Sequence, residues 1–237
     1  MRREVFEIKI AIMQPYLFPY IGYYQLIHAS DIFVIYDDAN YINRGWINRN
    51  YILIQGKKHL FTLNLVASSC FKKINEIEIG DNSSKLAKTI KYSYGKAPFF
   101  ENIFPIVEDI LFYKNKNLAD FISNSLKLVS EYLSIETKFI RSSSLPYNQE
   151  AKGQYKVIDI CKKLNANMYM NPIGGKHQSA AFVKENLALT FLKPSIPHYV
   201  QFKNEFIPGL SMLDVLMFNS KEDIRNMLEQ YTLESET

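Results

Sequence analysis

The sequence predicts an α/β fold: a Rossmann-like, mostly parallel sheet with a β-hairpin and a helical insertion near the middle. Three observations predict it. Short Ile- and Val-rich runs alternate with helical-period stretches. The opening run IKIAIMQ (8–14) and the run DIFVIYDD (31–38) are spaced for one crossover helix. Between about residues 84 and 134 the strand pattern gives way to a helical period. With 237 residues, 47% of them hydrophobic and 22% charged, the chain can bury a sizeable core. It reads as a single α/β domain over 1–237, helical insertion included.

The elements follow in order. IKIAIMQ is a short buried strand closed by Pro15. Pro19 suits the first turn of a helix running to about His28, because proline there sacrifices no needed N–H. DIFVIYDD is the second buried strand, so residues 8–38 form a βαβ unit whose ligand loops lie at the strands' C-terminal ends. NRNYILIQGKKHLFTLNLV (48–66) is a hairpin around Gly56-Lys57-Lys58, and INEIEIG is a strand with one wet face. Leu118, Phe121, Ile122, Ser125, Val129, Tyr132 and Leu133 mark one helix face, with FPIVEDILFY as its packing partner. Beyond it come a strand in ETKFIRS, a helix over 153–164, a strand in ANMYMNP, a short helix in AAFVKEN and a strand in LALTFL. Ser220 opens a final helix with a near capping box.

Composition narrows the function. The net charge of +4 is mild and its lysines are dispersed, so no stable nucleic-acid partner is expected. No apolar run approaches the ~18 residues of a membrane-spanning helix, so no membrane insertion is expected. The N-terminus MRREVFEIKIAIMQ has no signal-like apolar core, and two cysteines make neither a disulfide framework nor a metal cluster. The expected location is cytoplasmic, with no metal site. Oligomeric state is left open.

Two stretches carry the chemistry. In YDDANYINRGWINRN (36–50), Asp37 and Asp38 close the second strand, and Asn40, Asn43, Arg44, Trp46, Asn48, Arg49 and Asn50 follow within twelve residues. Guanidinium forks suit phosphate, carboxamides both give and accept hydrogen bonds, and the single indole can stack on a base or a sugar face. In the opening stretch, Gln14 and Tyr16 lie just past the first strand, and Tyr20 and Tyr23 lie on the crossover. A third group, Gly174-Gly175-Lys176 in NPIGGK, has the makings of an anion cradle. SSSLP (142–146) offers hydroxyls at another strand end. The expected pocket is Gln14, Tyr16, Tyr20, Tyr23, Asn40, Arg44, Trp46, Asn48, Arg49 and Asn50, with Gly174, Gly175 and Lys176 opposite. In it Arg44 and Arg49 hold a pyrophosphate, Trp46 stacks, and Asp37 or Asp38 acts as the base. The expected ligand of such a pocket is a nucleotide or a sugar.

The stretches MQPYLFPYIGYYQLIHASDIFVIYDDANYINRGWINRN, NPIGG and QFKNEFIPGLSMLDVLMFNS are similar to the WbqC-like family, from about Ile10 to Leu228. The segment from Phe71 to Phe139 is the least distinctive. The family's association with genes for O-antigen and other surface polysaccharides implies sugar-modifying work in the cytosol; it supplies no residue roles. The expected activity is that of a transferase adding an acyl or aminoacyl group to a nucleotide-linked amino sugar, with an acyl or aminoacyl donor as co-substrate. The alternatives are an adenylating ligase or nucleotidyltransferase using ATP and magnesium, and a non-catalytic sugar-nucleotide binding module. The strand, proline and Gly-aromatic helix start also resemble nucleotidylyltransferases and their HIGH-type relatives. Where those carry histidines, this chain has Tyr16, Tyr20, Gly22 and Tyr23.

Overall fold

Ile10 and Ile12 on one side of the first strand, and Ala11 on the other, enter two different hydrophobic clusters. A strand buried on both faces belongs at the centre of a parallel sheet covered by helices. A computed structural model, describing residues 7–174, 179–203 and 205–235, shows that arrangement. Strand β1 (Lys9–Met13) is flanked by β2 (Ile32–Ile35) and β8 (Met168–Pro172). With β7 (Lys138–Arg141), β9 (Ala188–Pro194) and β10 (Tyr231–Ser235) they form a six-stranded sheet in the order β10-β9-β8-β1-β2-β7. All pairings are parallel except β9 with β10. From β1 the chain first builds outward through β2 and β7, then returns to the other flank for β8 and β9. The strand order therefore reverses between β1 and β8.

Helix α1 (Ile21–Ala29) makes the β1–β2 crossover and is buried from Ile21 to Ile27, between the sheet and α8 (Lys221–Leu228). A helix apolar all round belongs in such an interior slot. Gly22 is the contact point. A Cβ there would lie 2.4 Å from the Tyr20 ring and 2.8 Å from Pro194 Cβ. Gly22→Ala is expected to cost about 1–3 kcal/mol through this overpacking, read as a lower urea midpoint with unchanged slope. One buried side chain fixes the far end of this layer: Gln25 Nε2 lies 2.9, 2.8 and 3.0 Å from the carbonyls of Ser195, Met227 and Gln230. The opposite face is covered by α5 (Gln154–Lys163) and α6 (Ser179–Lys184), which bury Ile10, Ile12, Val34, Tyr169 and Phe191. Cys161 sits in that layer, fully buried, its thiol pushed up to about 12 by burial.

Between β2 and β7 lie an antiparallel hairpin, β3 (Arg49–Ile54) with β4 (Lys57–Thr62), and a two-residue ladder of β5 (Leu65–Val66) with β6 (Glu78–Ile79). Three helices follow, α2 (Ser83–Tyr94), α3 (Phe100–Leu111) and α4 (Leu118–Tyr132). The face predicted for α4 is its buried one: Leu118, Phe121, Ile122, Ser125 and Val129 are all inside. The strand expected over INEIEIG shrinks to β6, because Ile74–Glu76 forms a single 3₁₀ turn. Two elements went unforeseen, α7 (Met212–Phe218) and β10. No described helix is long and apolar enough to cross a membrane.

Candidate functional site

Three stretches far apart in sequence line one cavity. After β1 the chain turns through Pro15 and reaches Tyr16, Pro19 and Tyr20; the hairpin supplies Asn50 and Tyr51, with Trp46 just before it; the segment ahead of α7 supplies Gly209. This half-open cavity measures about 200 Å³, room for one sugar or base ring and below the ~300 Å³ at which drug-sized sites begin. Three hollows of about 330, 430 and 660 Å³ lie among the central helices and the hairpin tip. None of their lining residues directly follows a strand of the six-stranded sheet.

The walls are held from behind. Leu17 N–H donates to Ile47 C=O at 3.0 Å, Ser211 N–H to Tyr51 C=O at 2.8 Å and Met212 N–H to Pro19 C=O at 2.9 Å. Asn50, buried, donates from Nδ2 to Phe18 C=O at 2.7 Å and accepts from Tyr51 N–H at 2.8 Å. Its carboxamide is thus committed to the frame. Trp46 is 45% exposed and packs 5.5 Å from the Tyr51 ring. Arg49 lies 5.9 Å over the indole; its Nε donates to Gly45 C=O at 2.8 Å and its other arm to Arg44 C=O. Burial raises the pKa of Tyr16 and Tyr20, and for Tyr16 the neighbouring Tyr20 adds to it. Both phenols stay neutral and able to donate.

Behind the cavity sits a buried carboxylate. Asp214, in α7, accepts from Tyr199 OH at 2.7 Å, Gln201 Nε2 at 2.6 Å and Tyr94 OH at 2.9 Å, while Tyr94 OH accepts from Leu53 N–H at 2.9 Å. Burial raises the Asp214 pKa, and the three donors only partly pull it back. The network joins α2, β3 and α7 to the 195–211 segment that carries Gly209.

Asp37 and Asp38 follow β2, one strand over from the Tyr16 turn. Asp37 is fully buried and its two oxygens are crowded with donors. They are Ser142 Oγ and Ser143 N–H, both at 3.0 Å, Ser143 Oγ at 2.7 Å, and Arg141 Nε and NH2 at 2.7 and 2.6 Å, with Asn75 Nδ2 at 3.4 Å. Burial pushes this carboxyl up. The Ser143 amide and hydroxyl and the Arg141 guanidinium outweigh burial and hold it below the ordinary value. Arg141 also pairs with Asp120. Asp38 accepts from Ser142 Oγ and Tyr147 OH. Ser142 has one hydroxyl proton and two carboxylates beside it, so it serves one at a time. Burial and the Asp38 contact raise the Tyr147 pKa.

The structure thus brings Tyr16, Tyr20, Trp46 and Asn50 together, with Arg49 bracing the indole. Tyr23 is buried and donates to Gln14 C=O at 2.8 Å. Asn48 is buried, accepting from Tyr41 OH at 2.9 Å and donating to Leu63 C=O at 2.7 Å. Asn40 is exposed and bridges to Lys73. Arg44 is exposed, in the left-handed region at φ 59°. Gly174 is exposed with φ 94°; Gly175 and Lys176 lie outside the described residues. Tyr51, Gly209, Arg141, Asp120 and Tyr147 were not foreseen. Only Gly209 carried a legible signal, the Pro-Gly turn in a stretch already singled out for its resemblance. No group of three or more metal-ligating side chains occurs among the described residues.

Fold and cavity together describe an α/β protein with a ring-sized, aromatic-walled cavity at the carboxyl end of its central strand. The chain belongs to the WbqC-like protein family, whose model matches residues 14–226. It is similar to the uncharacterized protein Rv1507c of Mycobacterium tuberculosis (strain ATCC 25618 / H37Rv), 28% identical over 218 residues, covering 89% of this chain and 93% of the relative. No solved structure matches.

Proposed function

We propose that this chain is a single Rossmann-like domain acting in the cytosol as a transferase of surface-polysaccharide synthesis. It adds an acyl or aminoacyl group to a nucleotide-linked amino sugar, one ring of which seats against Trp46. One observation supports this above the rest: Tyr16, Pro19 and Tyr20, Trp46, Asn50 and Tyr51, and Gly209 converge on one aromatic cavity just past the carboxyl end of β1, the strand from which the sheet order reverses. Open α/β sheets bind their ligands at such a point, outside the carboxyl ends of the strands. Aromatic faces suit the apolar face of a sugar or a base, and neutral phenols suit its hydroxyls.

In this reading Asp38 takes the proton from the attacking amine. Asp37, whose oxygens already have five donor atoms within 3.0 Å, orders the strand ends. Arg44, exposed in the turn before Trp46, is free in this reading to meet a phosphate from solvent. A non-catalytic binding module is a second reading, and it too has an observation behind it: both aspartates are engaged by protein donors.

A thermal-shift panel of UDP-, dTDP- and GDP-sugars, ATP and acyl donors tests the proposal. The expected result is a shift with a sugar nucleotide that Trp46→Ala abolishes while its far-UV spectrum stays native. Asp38→Asn is expected to keep that shift and lose turnover. A shift with ATP alone and release of pyrophosphate would turn the assignment to the adenylating class. Binding with no turnover under any donor would turn it to the module.

A further inference from the structure

Two cations stand against aromatic residues of the cavity and differ in how they are held. Arg49 gives its Nε–H and one Nη2 proton to the carbonyls of Gly45 and Arg44 and lies over Trp46, which fixes its guanidinium against the indole. Lys58, on β4, holds its Nζ 5.9 Å from the Tyr51 ring centroid, diagonally across the hairpin from that residue, since Tyr51 pairs with Leu60. Among the described residues no carboxylate pairs with Lys58. Gly209 completes the geometry. It sits in the left-handed region at φ 69°, and the one described atom near the position its Cβ would take is Lys58 Nζ, at 4.0 Å. Tyr51 and Gly209 both line the cavity. The Lys58 ammonium, though not itself in the lining, therefore stands beside two residues that are, Tyr51 and Gly209.

The cavity itself has no charged lining residue, and its one carboxamide, Asn50, is committed to the frame. Any charge on a ligand must be met at the rim. We propose that Lys58 is the anion-recognition residue of this site, taking a phosphate oxygen of a ligand whose ring stacks inside, and that a side chain longer than a methyl at Gly209, whose left-handed backbone already favours glycine, would crowd that contact. This rests on the reading of the cavity as a sugar-nucleotide site and adds the residue that selects the phosphate-bearing form. A lysine ammonium suits the task as a compact point charge with three donors.

The test uses whichever of UDP-N-acetylglucosamine, dTDP-glucose and GDP-mannose gives the largest wild-type thermal shift, followed by calorimetric titration at several salt concentrations. Lys58→Met is expected to weaken binding by about tenfold or more, the loss of one charge-assisted hydrogen bond, and to flatten the salt dependence. Lys58→Arg should retain most of the affinity. Gly209→Asn tolerates the left-handed backbone but crowds that contact, and should weaken binding as well. A Lys58→Met protein with wild-type affinity and salt slope, in a chain whose Trp46→Ala variant no longer binds, would overturn the role of Lys58 and leave the cavity assignment standing. A wild-type protein that binds none of the three would overturn both.

Discussion

Arg141→Met is expected to destabilise the protein by about 3 kcal/mol, because removing one partner of a buried ion pair strands the other's charge. The Asp37 side chain is completely buried, and Arg141 is the one cation it touches among the described residues. The two Ser143 hydrogen bonds would remain, with Ser142 when its hydroxyl turns to Asp37, so the loss is partial rather than a collapse. The pH dependence gives a second readout. The Asp37 carboxyl is held below its ordinary 3.8, so the stability it contributes is fully present above that value. It is lost as pH falls through the lowered folded-state value. In Arg141→Met the folded value rises, and the acid limb of a stability-against-pH curve from urea midpoints should move to higher pH. A midpoint and acid limb both unchanged would mean that the pair contributes nothing net.

Asp214→Ala is the other large effect, with an expected loss of about 3 kcal/mol or more from three buried donors left facing a void. Those donors belong to Tyr94, Tyr199 and Gln201, so the wall carrying Gly209 should loosen with the core. Asp214→Asn separates charge from shape. The Asp214 pKa is raised in the folded protein, so its favourable contribution is fully present below 3.8 and is lost as pH rises through the folded value. The asparagine does not titrate. Its deficit against wild type should therefore be larger at pH 4 than at pH 8, opposite in sense to the Arg141 variant. A deficit independent of pH would mean that Asp214 is not ionised at a cost.

The fold was legible where burial leaves a period. β1 and β2 are apolar runs because both their faces are covered, and α4 shows its buried face at helical spacing. β10 left no such trace. Its five residues YTLES are half-buried or exposed, so nothing alternates; its place comes from pairing with β9. In α7 all seven residues are inside, Asp214 included, so no polar face alternates with an apolar one to reveal a helix. The site divides the same way. Tyr16, Tyr20, Trp46 and Asn50 stood out as chemistry clustered along the chain. Arg141 and Tyr147 lie more than a hundred residues from the aspartates they engage, and a lone arginine after a strand carries no local mark. Two adjacent aspartates closing an apolar strand do imply buried partners, but only the topology says which.

The central position of β1 has a consequence for how the chain is made. Its first neighbour, β2, follows almost at once, whereas the other flank waits for β8: the backbone of Ile8 meets the side chain of Asn167, 159 residues later. At about 5–20 residues per second, that flank stays open for roughly 8–30 s during synthesis. Through that interval an apolar strand offers unpaired N–H and C=O groups to any passing chain. Contacts so distant also slow closure once the segment has emerged. A nascent chain stalled before β8 should accordingly be a strong client for holding chaperones, and one stalled beyond β9 a weaker one.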